Sequence, residues 1–459
     1  MARQEFSDKQ NTDTHIYMKK RLLFASLIAM FIGGATAQEK PDFSFKFYGF
    51  VRNYACYDTR ESLTSNSEQF YYMPKNELLD ADGCDINAQP NMMLLSITTR
   101  LGLNITGPQF LGAKTLAKIE ADFAGFGTSN TVLRIRQAYA KLEWTHNHLL
   151  VGQAWHPMMG DMMPDVFSLE TGAPFTPFSR TPQLRYDYVY KGLKLTATAL
   201  YQFQYTSYGP DGASFNYARN AVIPELYFQA AYKNGGFQAG IGVDLLTLKP
   251  RQSYTHTVTV QEPVLDATGN PTFDANGNQV FIQNEETKTL KCNEDKFLSI
   301  TPTLFASYKA DRWGIKGRVT YAQNAAHLSM ISGYAVTDIK ENGEQEYSTI
   351  NSIGGWVDAT YKQPLKKGHL TFCCFAGYTK NLGCDKEIVN NMIYMRGEKN
   401  MDYMWRVAPS VLYTHNAFQV GIEYNPTTVA YGKHDGDYKM YNPKSVTNHR
   451  ICAMVKYNF

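Results

Sequence analysis

Apolar and polar residues alternate along most of this chain. Between Thr447 and Phe459, the set Thr447, His449, Ile451, Ala453, Val455, Tyr457 and Phe459 is mostly apolar. The interleaved set Asn448, Arg450, Cys452, Met454, Lys456 and Asn458 is mostly polar. A repeat of two turns successive side chains to opposite faces, so the segment predicts a strand with one oily and one wet side. The same reading gives strands at 43–57, 92–105, 114–124, 132–144, 148–156, 183–191, 192–206, 222–233, 237–249, 297–309, 314–324, 350–361, 369–379, 403–413 and 418–428. In the first, Phe45, Phe47, Gly49 and Val51 face outward. In the second the outward set is Met93, Leu95, Ile97, Leu101, Leu103 and Ile105. In 192–206 it runs from Leu193 to Tyr201, Phe203 and Tyr205. The fourth places Leu133, Ile135 and Tyr139 opposite Arg134 and Arg136, but fits less cleanly further on, which points to a bulge or an exposed end.

Sixteen strands need fifteen connections, and these alternate in length. Short ones fall at 107–112, 145–148, 191–192, 233–236, 309–314, 363–368 and 414–417, rich in the Gly, Pro and Asn of tight turns. Long ones fall at 58–91, 125–131, 157–182, 207–221, 250–296, 325–349, 380–402 and 429–446. A sandwich or propeller does not sort its connections by parity, whereas an outer-membrane barrel has short periplasmic turns and long outer loops. The fold expected is therefore all-β: a transmembrane antiparallel β-barrel of sixteen strands, closed between the first and last. Outward aromatics near strand ends, such as Tyr201, Tyr403 and Trp405, fit interfacial girdles.

Composition narrows the picture. Hydrophobic residues make up 44% and aromatics 14%, with 31 Tyr and 26 Phe. Yet no apolar run reaches the roughly 20 residues a spanning helix needs. The N-terminus carries a basic stretch, Lys19-Lys20-Arg21, then LLFASLIAMFIGG and Ala35-Thr36-Ala37. This is a secretory signal over 18–37, with 1–17 as an upstream extension and 38–459 as the barrel. Formal charge is +3, which gives no global field for nucleic acid. Of seven cysteines, Cys56 and Cys84 flank the first long loop and could pair. A scattered set of free thiols is the favoured reading. No CxxC or Cys/His cluster suggests a metal, and no cofactor is expected.

Catalytic motifs are missing, and the ten His lack a persuasive Ser or Asp partner. An enzyme is the minority reading. Asp274 to Asn278 (DANGN) resembles the start of a calcium loop but reads better as an Asn-Gly turn of an outer hairpin. The polar faces hold the more telling pattern. Arg52, Arg100, Lys118, Arg134, Arg136, Arg185, Arg318, Arg406 and Arg450 all fall inward, with Lys46, Lys194 and Lys316. Inward acids are fewer: Glu120, Asp122, Asp187, Asp244, Asp358 and Glu423. A basic lumen favours anions; the plainer reading is that charges simply mark a wetted face. The third long loop is unusually apolar for a solvated segment. Folded into the lumen, it would present Asp161, Asp165, Glu170 and Arg180 at a constriction. Its alternative is packing on a neighbouring subunit.

Three blocks, RIRQAYAKLEW (134–144), LLVGQAWHPMMGDMMPD (149–165) and RTPQLRYDY (180–188), resemble the DcaP-like outer-membrane porins. The resemblance implies a homotrimer of sixteen-stranded barrels in lipid and lipopolysaccharide, passive uptake of small and often anionic solutes, and Arg134, Arg136 and Arg185 in the pore wall. Longer members carry an N-terminal coiled coil; here only Gln38 to Asp42 precede the first strand, so trimerisation would rest on barrel contacts. The competing reading is a scaffold or adhesin acting through its long loops.

Overall fold

The computed structural model describes residues 42–65, 70–125, 132–167, 172–293 and 295–459. The signal segment and the start at Gln38 lie outside the described residues. Sixteen antiparallel strands close into a barrel. We number them β1 (Ser44–Asp58), β2 (Asn91–Leu95 continued by Arg100–Phe110), β3 (Ala113–Asp122), β4 (Arg134–Glu143), β5 (Asn147–Trp155), β6 (Arg180–Tyr190), β7 (Leu193–Leu200) and β8 (Glu225–Asn234). The second half holds β9 (Phe237–Leu248), β10 (Phe297–Lys309), β11 (Trp313–Gln323), β12 (Gln345–Pro364), β13 (His369–Cys384), β14 (Met401–His415), β15 (Phe418–His434) and β16 (Met440–Asn458). Each strand pairs with its sequence neighbour, and β1 pairs with β16 from Phe50↔Asn458 to Asp58↔Arg450. Closure leaves the barrel no unpaired edge, which a strand structure in lipid requires.

Alternation of exposure follows the alternation of residue type. In β16, Ile451, Val455 and Tyr457 are exposed while Arg450, Cys452 and Met454 are buried. Phe459 ends the chain over β1. Its backbone exchanges two hydrogen bonds with Gly49, at 3.0 and 3.1 Å. A side chain at Gly49 would run into the Phe459 ring and the Arg100 carbonyl, so only glycine fits beneath the terminal aromatic.

Four expectations are corrected. Met93 and Leu95 face inward, because a turn over 96–99 splits β2 and shifts its parity; Leu95 packs with Tyr54 and Cys56. β7 ends at Leu200, so Tyr205 is buried rather than lipid-facing. Tyr139 pairs opposite inward Lys118, since β4 bulges at Arg136 and changes parity there. Cys56 is disulfide-bonded to Cys452, 396 residues away, and Cys84 is free. The β1–β16 register sets the two cysteines opposite each other on one face, with Cα atoms 4.2 Å apart. Cys84 sits on an exposed loop and has no disulfide partner.

Loops carry structure of their own. Ser253–Pro263 pairs with Phe281–Lys291 in a hairpin whose two faces are largely exposed. Within its tip, Asp274 accepts the backbone N–H groups of Asn276 and Asn278 at 2.8 and 2.9 Å. The turn runs over Asp274–Gly277, with the Gly277 N–H donating to the Asp274 carbonyl at 3.0 Å and Gly277 alone of the Asn-Gly pair at positive φ, +82°.

Candidate functional site

The inner-face charges form layers because residues two apart on a strand share a face. On β3, Lys118, Glu120 and Asp122 stack in this way, opposite Arg100 of β2 and Arg134 and Arg136 of β4. Arg134 grips Asp122 with two hydrogen bonds of 2.9 Å. Arg136 reaches Glu120 at 3.0 Å and Asp122 at 2.5 Å. Arg100 lies 3.6 Å and Lys118 3.9 Å from Glu120. Buried charges of both signs so close compensate one another, and none is a free cation. Arg185 pairs with Asp187 at 2.9 Å, and Arg450 lies 3.4 Å from Asp58.

Other inner-face arginines have no carboxylate within 4.0 Å among the described residues. Arg52 donates to Thr98 Oγ1 at 3.1 Å and lies over the Phe50 and Tyr54 rings. Arg318 donates to Thr303 Oγ1 at 3.2 Å and lies over Phe305, with Nε and Nη2 unpartnered. Arg180 donates to Tyr205 Oη at 2.7 Å between Trp155 and Phe178.

In the segment from His156 to Ser179, the described residues, 156–167 and 172–179, make hydrogen bonds to side chains of the strands. Met158, Met159, Met162, Phe175 and Phe178 are buried, as its apolar composition requires. Asp161 accepts from Lys194 at 2.9 and 3.0 Å and from Gln229 at 2.7 Å. Burial pushes the Asp161 carboxyl up, but Lys194 and Arg185 outweigh it and hold it below the usual range. Asp165 pairs with Lys316 at 2.8 Å, and its N–H donates to Asp358. The Phe167 N–H donates to Glu423 at 2.7 Å. Glu170 lies outside the described residues.

Arg406 does something its sequence position did not announce. It is buried, and its Nη2 donates to the Tyr72 carbonyl at 2.9 Å and its Nη1 to the Ala173 carbonyl at 3.2 Å. Nε is held by Thr427 at 2.9 Å, and the guanidinium lies against Tyr71 and Phe175. One side chain of β14 thus joins the first and third long loops. Those loops meet in a buried cluster with Met73, Met159, Ile331, Trp356 and Met404. On the side of the short turns a cavity of about 590 Å³ stays open, lined by Arg52, Asp165, Lys316, Asp358, Lys362 and Lys456 among others. Lys456 is one of the polar-face residues of the last strand that the alternation reads, with Arg450, as pore lining. Facing loops cannot be paired from alternation, so Arg406's partners had no signal.

Over residues 35–237 the chain matches the DcaP outer membrane protein family. The DcaP match includes all three blocks whose resemblance was noted, and it places the protein in the outer membrane of a Gram-negative bacterium. No curated protein matches the chain. Among solved structures, in-vitro folded OmpT, an outer membrane protein of Vibrio cholerae, aligns with a TM-score of 0.50 at 11% identity, covering 92% of this chain and 100% of that one. Its loop L8 deletion mutant gives 0.50 at 11%, covering 91% and 99%. An anion-selective porin from Comamonas acidovorans aligns at 0.49 and 10% identity, covering 91% and 100%. At such identities the two OmpT structures speak to the barrel fold alone.

Proposed function

We propose that the protein is a passive outer-membrane porin for small hydrophilic solutes, with a preference for anions and no enzymatic role. The observation that carries the reading is the asymmetry of the inner face: its carboxylates are mostly paired, while Arg52, Arg180 and Arg318 have no carboxylate of their own. Uncompensated cations beside low-dielectric walls raise the local concentration of anions. The third long loop is the in-folded constriction on this reading, supported by its contacts with Lys194, Lys316, Asp358 and Glu423. Arg100, Lys118, Arg134, Arg136, Arg185, Arg406 and Arg450 line the wall, mostly in ion pairs. The protein works as a homotrimer in lipid and lipopolysaccharide, and its leader is removed after Ala37. Mass measurement of the membrane-extracted protein tests both.

Reversal potentials in a salt gradient across planar bilayers test the selectivity. Arg52→Gln with Arg318→Gln should lower the anion-to-cation permeability ratio more than Lys46→Gln. Cation preference in the unaltered protein, or equal effects of the two changes, would reject the assignment. A second reading, a closed scaffold acting through its loops, draws on the buried cluster that joins the first and third loops. It predicts no conductance steps, so the same recordings separate the two.

A further inference from the structure

Four ionisable side chains meet in the interior away from the Arg52–Lys456 cavity. They come from the end of β5 (His156), the start of β8 (Glu225), β9 (Asp244) and the short helix Ala326–Leu328 after β11 (His327). Each side chain is at most 1% exposed. His156 Nε2 lies 2.9 Å from Glu225 Oε1 and 3.7 Å from Asp244 Oδ1. His327 Nε2 lies 3.2 Å from Glu225 Oε1 and 3.6 Å from Asp244 Oδ2. Two buried carboxylates side by side repel each other and have lost their hydration, so the cluster requires positive charge.

Hydrogen bonding distinguishes the two imidazoles. His156 Nδ1 accepts the Met158 N–H at 3.2 Å, which puts its ring proton on Nε2, aimed at Glu225. His156 Nε2 therefore has no lone pair to give. His327 differs: neither ring nitrogen makes a hydrogen bond, although both are buried. Its Nε2 is within reach of both acids but is not aligned for donation. Glu225 Oε2 and Asp244 Oδ1 are likewise buried without a hydrogen-bond partner.

We propose that Glu225, Asp244 and His327 bind a divalent transition-metal ion of the zinc type, with His156 as a positioning residue that orients Glu225. Metal bonds of about 2.0–2.2 Å in a tetrahedron set neighbouring ligand atoms roughly 3.3 Å apart. The His327 separations of 3.2 and 3.6 Å bracket that edge. His156, Glu225 and Asp244 each offer one ligand-type atom within 4.8 Å of the others. Because His156 Nδ1 already accepts the Met158 N–H, the imidazole left to coordinate with the same two acids is that of His327. One imidazole with two carboxylates suits a borderline ion better than calcium or magnesium, which prefer oxygen alone, or copper(I), which prefers sulfur. A dication cancels the two acids and leaves one coordination position for water. Bound there, the ion clasps the β8–β9 wall to the loop after β11, while His156 carries the base of the third loop.

The test uses the full-length protein folded with Zn²⁺ or Co²⁺, with bound zinc measured by mass spectrometry and cobalt by its visible absorption. One equivalent per chain is expected. His327→Gln should abolish it. His156→Gln should keep the cobalt spectrum while weakening affinity by about 10–100-fold, as loss of an outer-shell partner does. Wild-type protein that folds without zinc and takes up no cobalt overturns the proposal, since a protonated His327 would then supply the charge. Full zinc content in His327→Gln places the ion elsewhere and also overturns it. Loss of metal in His156→Gln to the same extent as in His327→Gln would make His156 a ligand and reject the assignment. Should His327→Gln fail to fold, the wild-type stoichiometry still decides.

Discussion

Replacing Arg406 with alanine should loosen two loops at once without unfolding the barrel. The guanidinium gives hydrogen bonds to the Tyr72 and Ala173 carbonyls, one on each loop. Leaving a buried acceptor without its donor costs about 1–3 kcal/mol each. Loss of the contacts with Tyr71 and Phe175, at 4.9 and 5.2 Å, adds about 0.5–2 kcal/mol. Together this is about 2.5–8 kcal/mol of attachment, or roughly 10²-fold to 10⁶-fold in the ratio of docked to released loops. Other ties remain: Tyr72 Oη donates to the Ser329 carbonyl at 3.0 Å, so release is local. Hydrogen exchange at 70–74 and 172–179 should accelerate, and single-channel traces should become larger or noisier. Arg406→Lys should lie between. Unchanged exchange in both segments, in a protein that still runs as a folded barrel, would refute the clamp.

Three further outcomes follow from the same geometry. Cys56→Ser, or reduction, should lower the temperature at which the barrel unfolds on gels, by an amount corresponding to at most about 5 kcal/mol for so long a closed loop; Cys84→Ser should not. The pH response of Asp161 has a defined sign. Its folded carboxyl titrates lower than the unfolded value of about 3.9, so its contribution is complete above that pH and is lost as pH falls through the folded value. Channel noise should therefore be flat from about pH 5 to pH 8 and rise only in stronger acid. Asp161→Asn should make the noise high throughout, and Lys194→Met should do the same.

The barrel itself was largely legible, because its rule is local. Each strand needs only alternate residues in lipid, and each hairpin only a turn, so Lys191-Gly192 and the Asn-Gly pair near Gly277 declared themselves. Errors arose where an irregularity reset the parity. The turn at 96–99 inverted Met93 and Leu95, and the bulge at Arg136 inverted Tyr139. The inner face was legible as a list of charges but not as pairs. Whether Arg134 is a free cation depends on Asp122 across the β3–β4 ladder, and the same holds for Arg52, which has no such neighbour. Contacts between loops were the least accessible. His327 and Glu225 lie about a hundred residues apart, and no periodicity relates them.

The disulfide at the seam also bears on how the barrel is made. Cys56 and Cys452 lie on the first and last strands, so the bond forms only once both ends have met in an oxidising compartment. A slip of one residue between β1 and β16 would turn the two sulfurs to opposite faces. The oxidised form is therefore a chemical record that closure occurred in the right register, and a chain closed out of register would carry two thiols that an alkylating reagent can count.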